Sequence, residues 1–465
     1  MGVELKKKYG LWTAIAMVIG IVIGSGVFFK GGKILSITGG NLPLGILAWL
    51  VGGLIMVICA NAFAIMATKY EYVNGAVDYA EVTVGKRYGR FMGWYLTTLY
   101  YPAITSVLAW VSANFTCILF NIPNDLGTCM TIAGAYLIAI YALNMLSPVL
   151  TGRFQVSTTV IKLVPLVAMA VAGTIAGLAN GVTVENFTTV VVENVTGNPF
   201  FAAIVATAFA YEGWIVATSI NQELKDAKKN LPRALTIGSI IIVAVYILYY
   251  IGLAGAASNQ DLMDQGDAGV LTAFVNIFGR LGSLLFVFVI ISCLGTLNGL
   301  MMGATRGMYA LAARKQGPKH EMYAQVDKST NMPASSGTLG LLLCALWLLF
   351  WYGGVVQLIH GRMPLFGGIG GFWFDSSELP IVALYAFYIP MFIQFMRKET
   401  DLSVFRRFVL PGLATLCCMF MPVAAVLAHG WEAIGWFALL FVVAMAIGAA
   451  FGLWKAPGKE EMAQE

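Results

Sequence analysis

Three sites in this chain put residues capable of chemistry where an apolar environment makes them costly. Between Leu11 and Phe29 runs an uncharged stretch with Gly24-Ser25-Gly26 set into it. Two glycines around a serine at that depth let a helix unwind. Hydrocarbon cannot satisfy the amides so exposed, so protein or a wet cavity must. The second half of such a broken helix offers free N–H groups and its positive dipole end, which favours an anion. The competing reading is that the glycines only admit a closely packed neighbour. The second site is Glu212, in Phe209-Ala210-Tyr211-Glu212-Gly213-Trp214, and the third is Lys162, followed by Leu163-Val164-Pro165. A carboxylate at membrane depth costs about 3 kcal/mol and survives only protonated, paired or wet. Glu212 therefore binds a cationic group of a ligand, carries a proton or holds a gate, or is satisfied by backbone amides of an unwound segment. Lys162 either bridges carbonyls of a broken helix or snorkels to an interface about two turns away.

These residues matter only if helices carry them across a bilayer. Of 465 residues, 59% are hydrophobic and 11% charged, with a mean hydropathy of +0.80. Soluble domains carry about 25% charged residues, so the chain reads as an all-α, polytopic membrane protein. Spans of about 20 apolar residues are expected at 11–30, 42–67, 91–120, 127–148, 155–180, 199–220, 234–256, 281–305, 335–357, 379–396, 408–429 and 433–454. In this reading only Lys162 and Glu212 are charges well inside a span. With both termini cytoplasmic, nearly all of the 28 Lys and Arg fall in inner loops and tails. The exceptions are Lys30, Lys33, Arg280 and Arg362 outside and Lys162 in the membrane, a strong positive-inside bias. The net charge of +5 is spread over these loops, which excludes a nucleic-acid stripe. The outer loops 181–198 and 257–280 have room for short surface helices, and Phe366 to Phe374 reads as a re-entrant or lid segment. The expected organisation is a tail (1–10), a first block of five spans (11–180), a second (199–396), two further spans (408–454) and a second tail (455–465). No cleavable signal is expected, since the first apolar stretch is long enough to span and lacks a small-residue cleavage site.

Gly24 and Gly213 each interrupt the first span of a five-span block. Five is odd, so the two blocks run in opposite senses, and paired breaks in such blocks point to a binding site between inverted repeats. Coincidence is the competing reading, because the chain has 51 glycines and glycine is common in membrane helices. Several motifs then add to the pattern. Gly24-Ser25-Gly26-Val27-Phe28 resembles the first-helix signature of the amino acid–polyamine–organocation superfamily. The segment from Phe209 to Trp214 resembles the sixth helix of its L-type amino acid transporter branch. Glu223 through Asn230-Leu231-Pro232-Arg233-Ala234, then Gly295-Thr296-Leu297-Asn298-Gly299 with Arg306 and Tyr309 to Arg314, and Asn74-Gly75-Ala76 to Tyr79 with Gly93-Trp94, resemble further motifs of that branch. The likeness runs from residue 12 to about 318 and leaves the last two spans without a motif. Two departures stand out: Ala227 where the family has proline, and Glu212 where animal relatives have a small residue.

The resemblance implies a LeuT-type five-plus-five inverted repeat with discontinuous first and sixth helices plus two C-terminal helices. It implies a zwitterion held between those helices, its carboxylate on amides near Gly24, Ser25 and Gly26. The ammonium would take carbonyls near Ile21 and Phe209 or Ala210, with Glu212 and Gly213 alongside. Phe209 would be an aromatic gate, or else a core phenylalanine. Sodium-independent relatives place a lysine at Lys162, whose ammonium replaces a sodium ion. Asn298 bonds helix to helix or contacts substrate, and Tyr101 and Thr105 are candidate wall residues. The expected function is sodium-independent secondary amino acid transport by alternating access, as an exchanger; the alternative is a proton-coupled transporter of a cationic amino acid, amine or polyamine. No cofactor, metal or heavy-chain subunit is expected, and the surroundings are a lipid bilayer. Cys117 and Cys129 flank an outer loop and could bridge. His320, His360 and His429 lie at loops or span ends with no cluster of the kind an enzyme needs.

Overall fold

A computed structural model describes residues 10–70, 75–123, 125–215, 224–365 and 371–453. Asn74, Glu223, residues 366–370 of the expected lid, and both terminal tails lie outside them. The elements in chain order are α1 (Leu11–Val22), α2 (Gly26–Ile37), α3 (Leu42–Lys69) and α4 (Ala76–Thr83). Then come α5 (Lys86–Phe120), α6 (Leu126–Leu146), α7 (Val149–Ala179), α8 (Val182–Thr188) and α9 (Pro199–Ala210). After these follow α10 (Ala227–Ala254), α11 (Asn259–Gln265), α12 (Ala268–Phe278), α13 (Arg280–Ala313) and α14 (His320–Tyr323). The last are α15 (Ala334–Ile359), α16 (Leu379–Lys398) and α17 (Phe405–Gly452). Among the described residues there is no β-strand. Among the described residues, nine helices are long and apolar enough to cross a membrane, or ten when α1 and α2, bent by 52° at their break, count as one. α17 is interrupted at Gly430, where φ is +77°; a side chain would be strained there, so glycine lets the chain turn.

The helices start and stop where local chemistry allows. Asn41 and Asp125 cap α3 and α6 by accepting from the amides of Leu44 and Thr128, which satisfies donors a helix start leaves free. α5 contains a π turn at Leu96–Tyr100, one residue before Tyr101-Pro102; such turns are often found at functional sites. The core centres on α3, α9 and α10. Trp49 of α3 lies edge-on to Tyr211 and Tyr246, at ring separations of 5.5 and 5.6 Å. A Cβ on Gly52 would lie 2.0 Å from Thr207 Oγ1, so glycine is what lets α3 and α9 approach.

Two sequence expectations change. The first span was expected to end at residue 30, with Lys30 and Lys33 in an outer loop. Instead α2 carries both to Ile37, and Lys30 is fully buried. Lys162 and Glu212 are therefore not the only charges buried among the spans. The reason is pairing: Lys30 and Lys33 bind Glu378 and Asp375, so neither ammonium needs water. The sixth span is shorter as a helix than expected. α9 stops at Ala210 and is followed by a turn at Tyr211 to Gly213. The short helices expected in the two outer loops are present as α8, α11 and α12.

Candidate functional site

The two breaks face one another. A Cβ on Gly26, the first residue of α2, would sit 2.5 Å from the Cα of Ala210, the last residue of α9. Gly213, at φ +105°, places its Cα side 3.4 Å (as a built Cβ) from the Ile21 carbonyl near the end of α1. Ile21, Gly24, Ser25, Gly26, Phe209, Ala210 and Gly213 thus converge on one place. Gly24 backs onto α13, where a Cβ would meet Thr296 Oγ1 at 2.8 Å, and the Ser25 amide donates to that oxygen at 3.3 Å. The Ser25 hydroxyl is buried and has no partner in the protein. A free hydroxyl beside the unpaired first amides of α2 is an arrangement suited to a carboxylate.

The broken ends are held by residues from other helices. Tyr246 of α10 donates its hydroxyl towards the Val22 carbonyl at 3.3 Å and the Ala210 carbonyl at 3.2 Å, joining the last residues of α1 and α9. Lys162 of α7 is buried and donates its ammonium to the Gly20 carbonyl at 2.5 Å, so it bridges to α1 rather than snorkelling. It stands where α7 is loosened ahead of Pro165, whose missing N–H already interrupts the helical ladder.

Glu212 occupies the turn after α9. One of its carboxyl oxygens is buried without a protein partner, while the Tyr100 hydroxyl and the Gly213 amide reach the carboxyl group. Tyr95, Tyr101, Tyr385 and Tyr388 lie close enough to sense its charge. No ammonium or guanidinium among the described residues pairs with it.

Phe209 lies edge-on to Phe29 at 5.8 Å, and Phe29 to Trp110 at 6.4 Å. The Lys30 ammonium sits over both Phe29 and Phe209, at 5.1 and 5.2 Å from the ring centres. Phe209 therefore belongs to an aromatic layer closed by a buried cation. Of the remaining candidates, Tyr101 lies near Glu212, while Thr105 and Asn298 are engaged elsewhere. Tyr101 packs on Gly303, whose Cβ would come within 2.6 Å of the ring, and Thr105 donates back to the Tyr101 carbonyl at 2.6 Å. Asn298 accepts from Asn144 at 2.8 Å and donates to Gln155 at 2.9 Å, so its amide ties α13 to α6 and α7. Cys117 and Cys129 are free thiols in mutual contact. Sequence reasoning missed Tyr246 and Lys30 as parts of this site and saw Thr296 only inside a motif. Among the described residues, no group of three or more His, Cys, Asp and Glu forms a metal site.

Comparison with known proteins places the chain in a family. The amino acid permease family matches residues 9–452. The serine/threonine exchanger SteT of Bacillus subtilis is 30% identical over 91% of this chain and 89% of its own length. The human large neutral amino acids transporter small subunit 2 is 26% identical over 82% of this chain and 72% of its own. The human b(0,+)-type amino acid transporter 1 is 24% identical over 95% and 86%. Among solved structures, MhsT in complex with L-phenylalanine superposes with a TM-score of 0.57 at 15% identity, covering 91% of this chain and all of that one; this likeness speaks to the fold alone. The helical membrane architecture, the facing breaks and the match along almost the whole chain lead to one conclusion: the chain belongs to the amino acid permease family, within the amino acid–polyamine–organocation superfamily.

Proposed function

We propose that this permease is a sodium-independent amino acid exchanger that works by alternating access. Its twelve spans form two inverted blocks of five, 11–180 and 199–396, plus a C-terminal pair divided at Gly430. Both termini face the cytoplasm of a cell whose plasma membrane holds the protein as a stand-alone chain. The observation that carries the reading is the crossing of the two breaks, Gly26 on Ala210 and Gly213 on Ile21, tied by Tyr246. The substrate carboxylate binds at Ser25 and Gly26, and its ammonium takes carbonyls near Ile21 and Ala210. Phe209 closes over it on the outer side. Lys162 supports sodium independence, because its ammonium already holds α7 to α1 where an ion would otherwise be required. The name of the Bacillus relative, a serine/threonine exchanger, supports small neutral amino acids as substrates. A second reading, transport of a cationic amino acid or amine with or without a proton, is favoured by the unpartnered Glu212 oxygen.

The test is counterflow. Proteoliposomes preloaded with unlabelled serine are given labelled neutral, cationic and acidic amino acids and polyamines, with and without sodium. Sodium-indifferent exchange of neutral amino acids is expected. Preference for cationic solutes would instead make Glu212 their charge partner, and a strict sodium requirement would overturn the role given to Lys162.

A further inference from the structure

The buried charge cluster on α2 touches the site described above only through Lys30, which lies over its aromatic layer; the other members of the cluster stand outside that site. The Lys30 ammonium donates to Ser377 Oγ at 2.9 Å and to Glu378 Oε1 at 2.5 Å. Lys33 donates to Asp375 Oδ2 at 2.8 Å and to the same Glu378 oxygen at 3.2 Å. The other oxygen, Glu378 Oε2, lies 3.0 Å from His429 Nε2. One carboxylate is thus shared between two ammoniums of α2 and an imidazole of α17. Gly430, out of helical geometry, sits directly after His429 where the chain turns. Lys30 in turn lies over the rings of Phe29 and Phe209, so the cluster connects the aromatic layer to the segment leading into α16.

We propose that His429 is a positioning residue of the outer gate: acting through Glu378 it sets how firmly Lys30 is held, and its protonation from the outside loosens the gate. This gate presupposes the orientation and exchange reading given above. Exposure separates the roles. The side chains of Lys30 and Glu378 are 0% and 3% exposed, whereas that of His429 is 19% exposed, so a proton reaches the imidazole and not the sealed pair. Burial pushes the Glu378 carboxyl up, but the Lys30 and Lys33 ammoniums outweigh it and hold it well below the ordinary carboxylate range. Glu378 therefore stays ionised when the outside is mildly acidified. Asp375 also faces His429, and Lys30 and Lys33 meet it across the shared Glu378 carboxylate; Asp267, held by Asn114 at 2.7 Å, faces the two lysines, and Glu432 lies beyond the break at Gly430, near Gly371. Adding a positive charge to His429 gives Glu378 a further cationic partner and places that charge against both lysines. The strengthened His429–Glu378 bond stays within the packed pair α16 and α17, while Lys30 belongs to α2. The net effect is a weaker hold on α2 and its aromatic layer, so acid outside favours outward opening.

The experiment is counterflow from the outside at fixed inner pH, with the outer pH stepped from about 8 to about 5.5. The wild-type initial rate should rise several-fold as the outer pH falls. His429→Gln keeps a neutral hydrogen-bonding side chain; it should match wild type at the alkaline end and stay flat. His429→Lys should run at the acid rate throughout, with a thermal melt in detergent confirming that it folds. Asp267, whose carboxyl burial pushes up to about 6 against the pull of Lys33 and Asn114, also lies within this pH step, so Asp267→Asn must keep the rise. A pH-dependent His429→Gln, a flat Asp267→Asn, or a flat wild type overturns the proposal. Absence of counterflow at every pH overturns the exchange reading and this inference with it, whereas pH-independent exchange overturns this inference alone.

Discussion

At the scale of the residue, space at the break decides what can be changed. A Cβ on Gly26 would meet the Cα, Cβ and backbone N of Ala210 at 2.5 to 3.1 Å, and backbone cannot step aside as a side-chain end can. Gly26→Val should abolish uptake while the protein still inserts and runs as a single species in detergent; undiminished uptake would remove the first break from the site. Gly24→Ala meets only the Thr296 side chain, at 2.8 Å, and should cost far less. Lys162→Met leaves the Gly20 carbonyl without its charged donor. A charge-assisted hydrogen bond contributes about 1.5–3 kcal/mol, so exchange should fall by about tenfold or more. Wild-type exchange in this variant would show that the ammonium is not what fixes α1. Gly26 and Lys162 were legible in the sequence because each violates its surroundings: a glycine pair in mid-span, a charge among apolar residues. Tyr246 and Lys30 were not. A hydroxyl among 19 tyrosines gives no signal until the carbonyls it meets are known. Lys30 looked like a loop residue because its partners Ser377 and Glu378 lie some 350 positions away in the chain.

At the scale of the element, the broken helices remain ordered because neighbours satisfy their ends. An unmet carbonyl in an apolar interior costs more than the hydrogen bond it lost. One hydroxyl, that of Tyr246, serves the last residues of both α1 and α9. Tyr246→Phe preserves the ring stacked on Tyr211 at 5.2 Å and removes only the oxygen. It should lower the melting temperature by a few degrees and slow exchange several-fold, with folding intact. A variant that melts earlier yet exchanges at full rate would show that the tie stabilises the protein without setting the breaks. The same logic explains which helix bounds were readable. Span positions followed from apolar runs, and the turn at Gly430 fell in the gap expected between 429 and 433. The length of α2 did not follow, because a helix that buries Lys30 and half-buries Lys33 is stable only through ion pairs with a distant segment.

At the scale of the whole molecule, charge clusters of different burial tie the helix bundle at two distant places. At one is the Lys30–Glu378 cluster. At the other, Arg314 after α13 grips Asp78 and Glu81 of α4 at 2.8 and 2.7 Å, and Lys69 at the end of α3 pairs with Glu399 at 3.1 Å. In an alternating-access cycle these ties should oppose one another, each released only while the other holds. Their magnitudes differ. The Arg314 guanidinium is 27% exposed, and partly exposed pairs contribute about 1 kcal/mol or less. Removing Lys30 strips a buried carboxylate of its nearest partner, a change that costs about 3–5 kcal/mol when no other partner remains and less here because Lys33 and His429 stay. Lys30→Met should therefore favour the outward-open form strongly and Arg314→Met the inward-open form weakly. A ligand's apparent affinity from one face falls as the form open to that face becomes rare. Lys30→Met should lower the half-saturating concentration measured outside and raise that measured inside, by about tenfold in their ratio. Arg314→Met should move the ratio the other way, by a smaller factor. If both variants move it in one direction, the two clusters do not act as opposing gates and the charges on α2 and after α13 serve assembly alone.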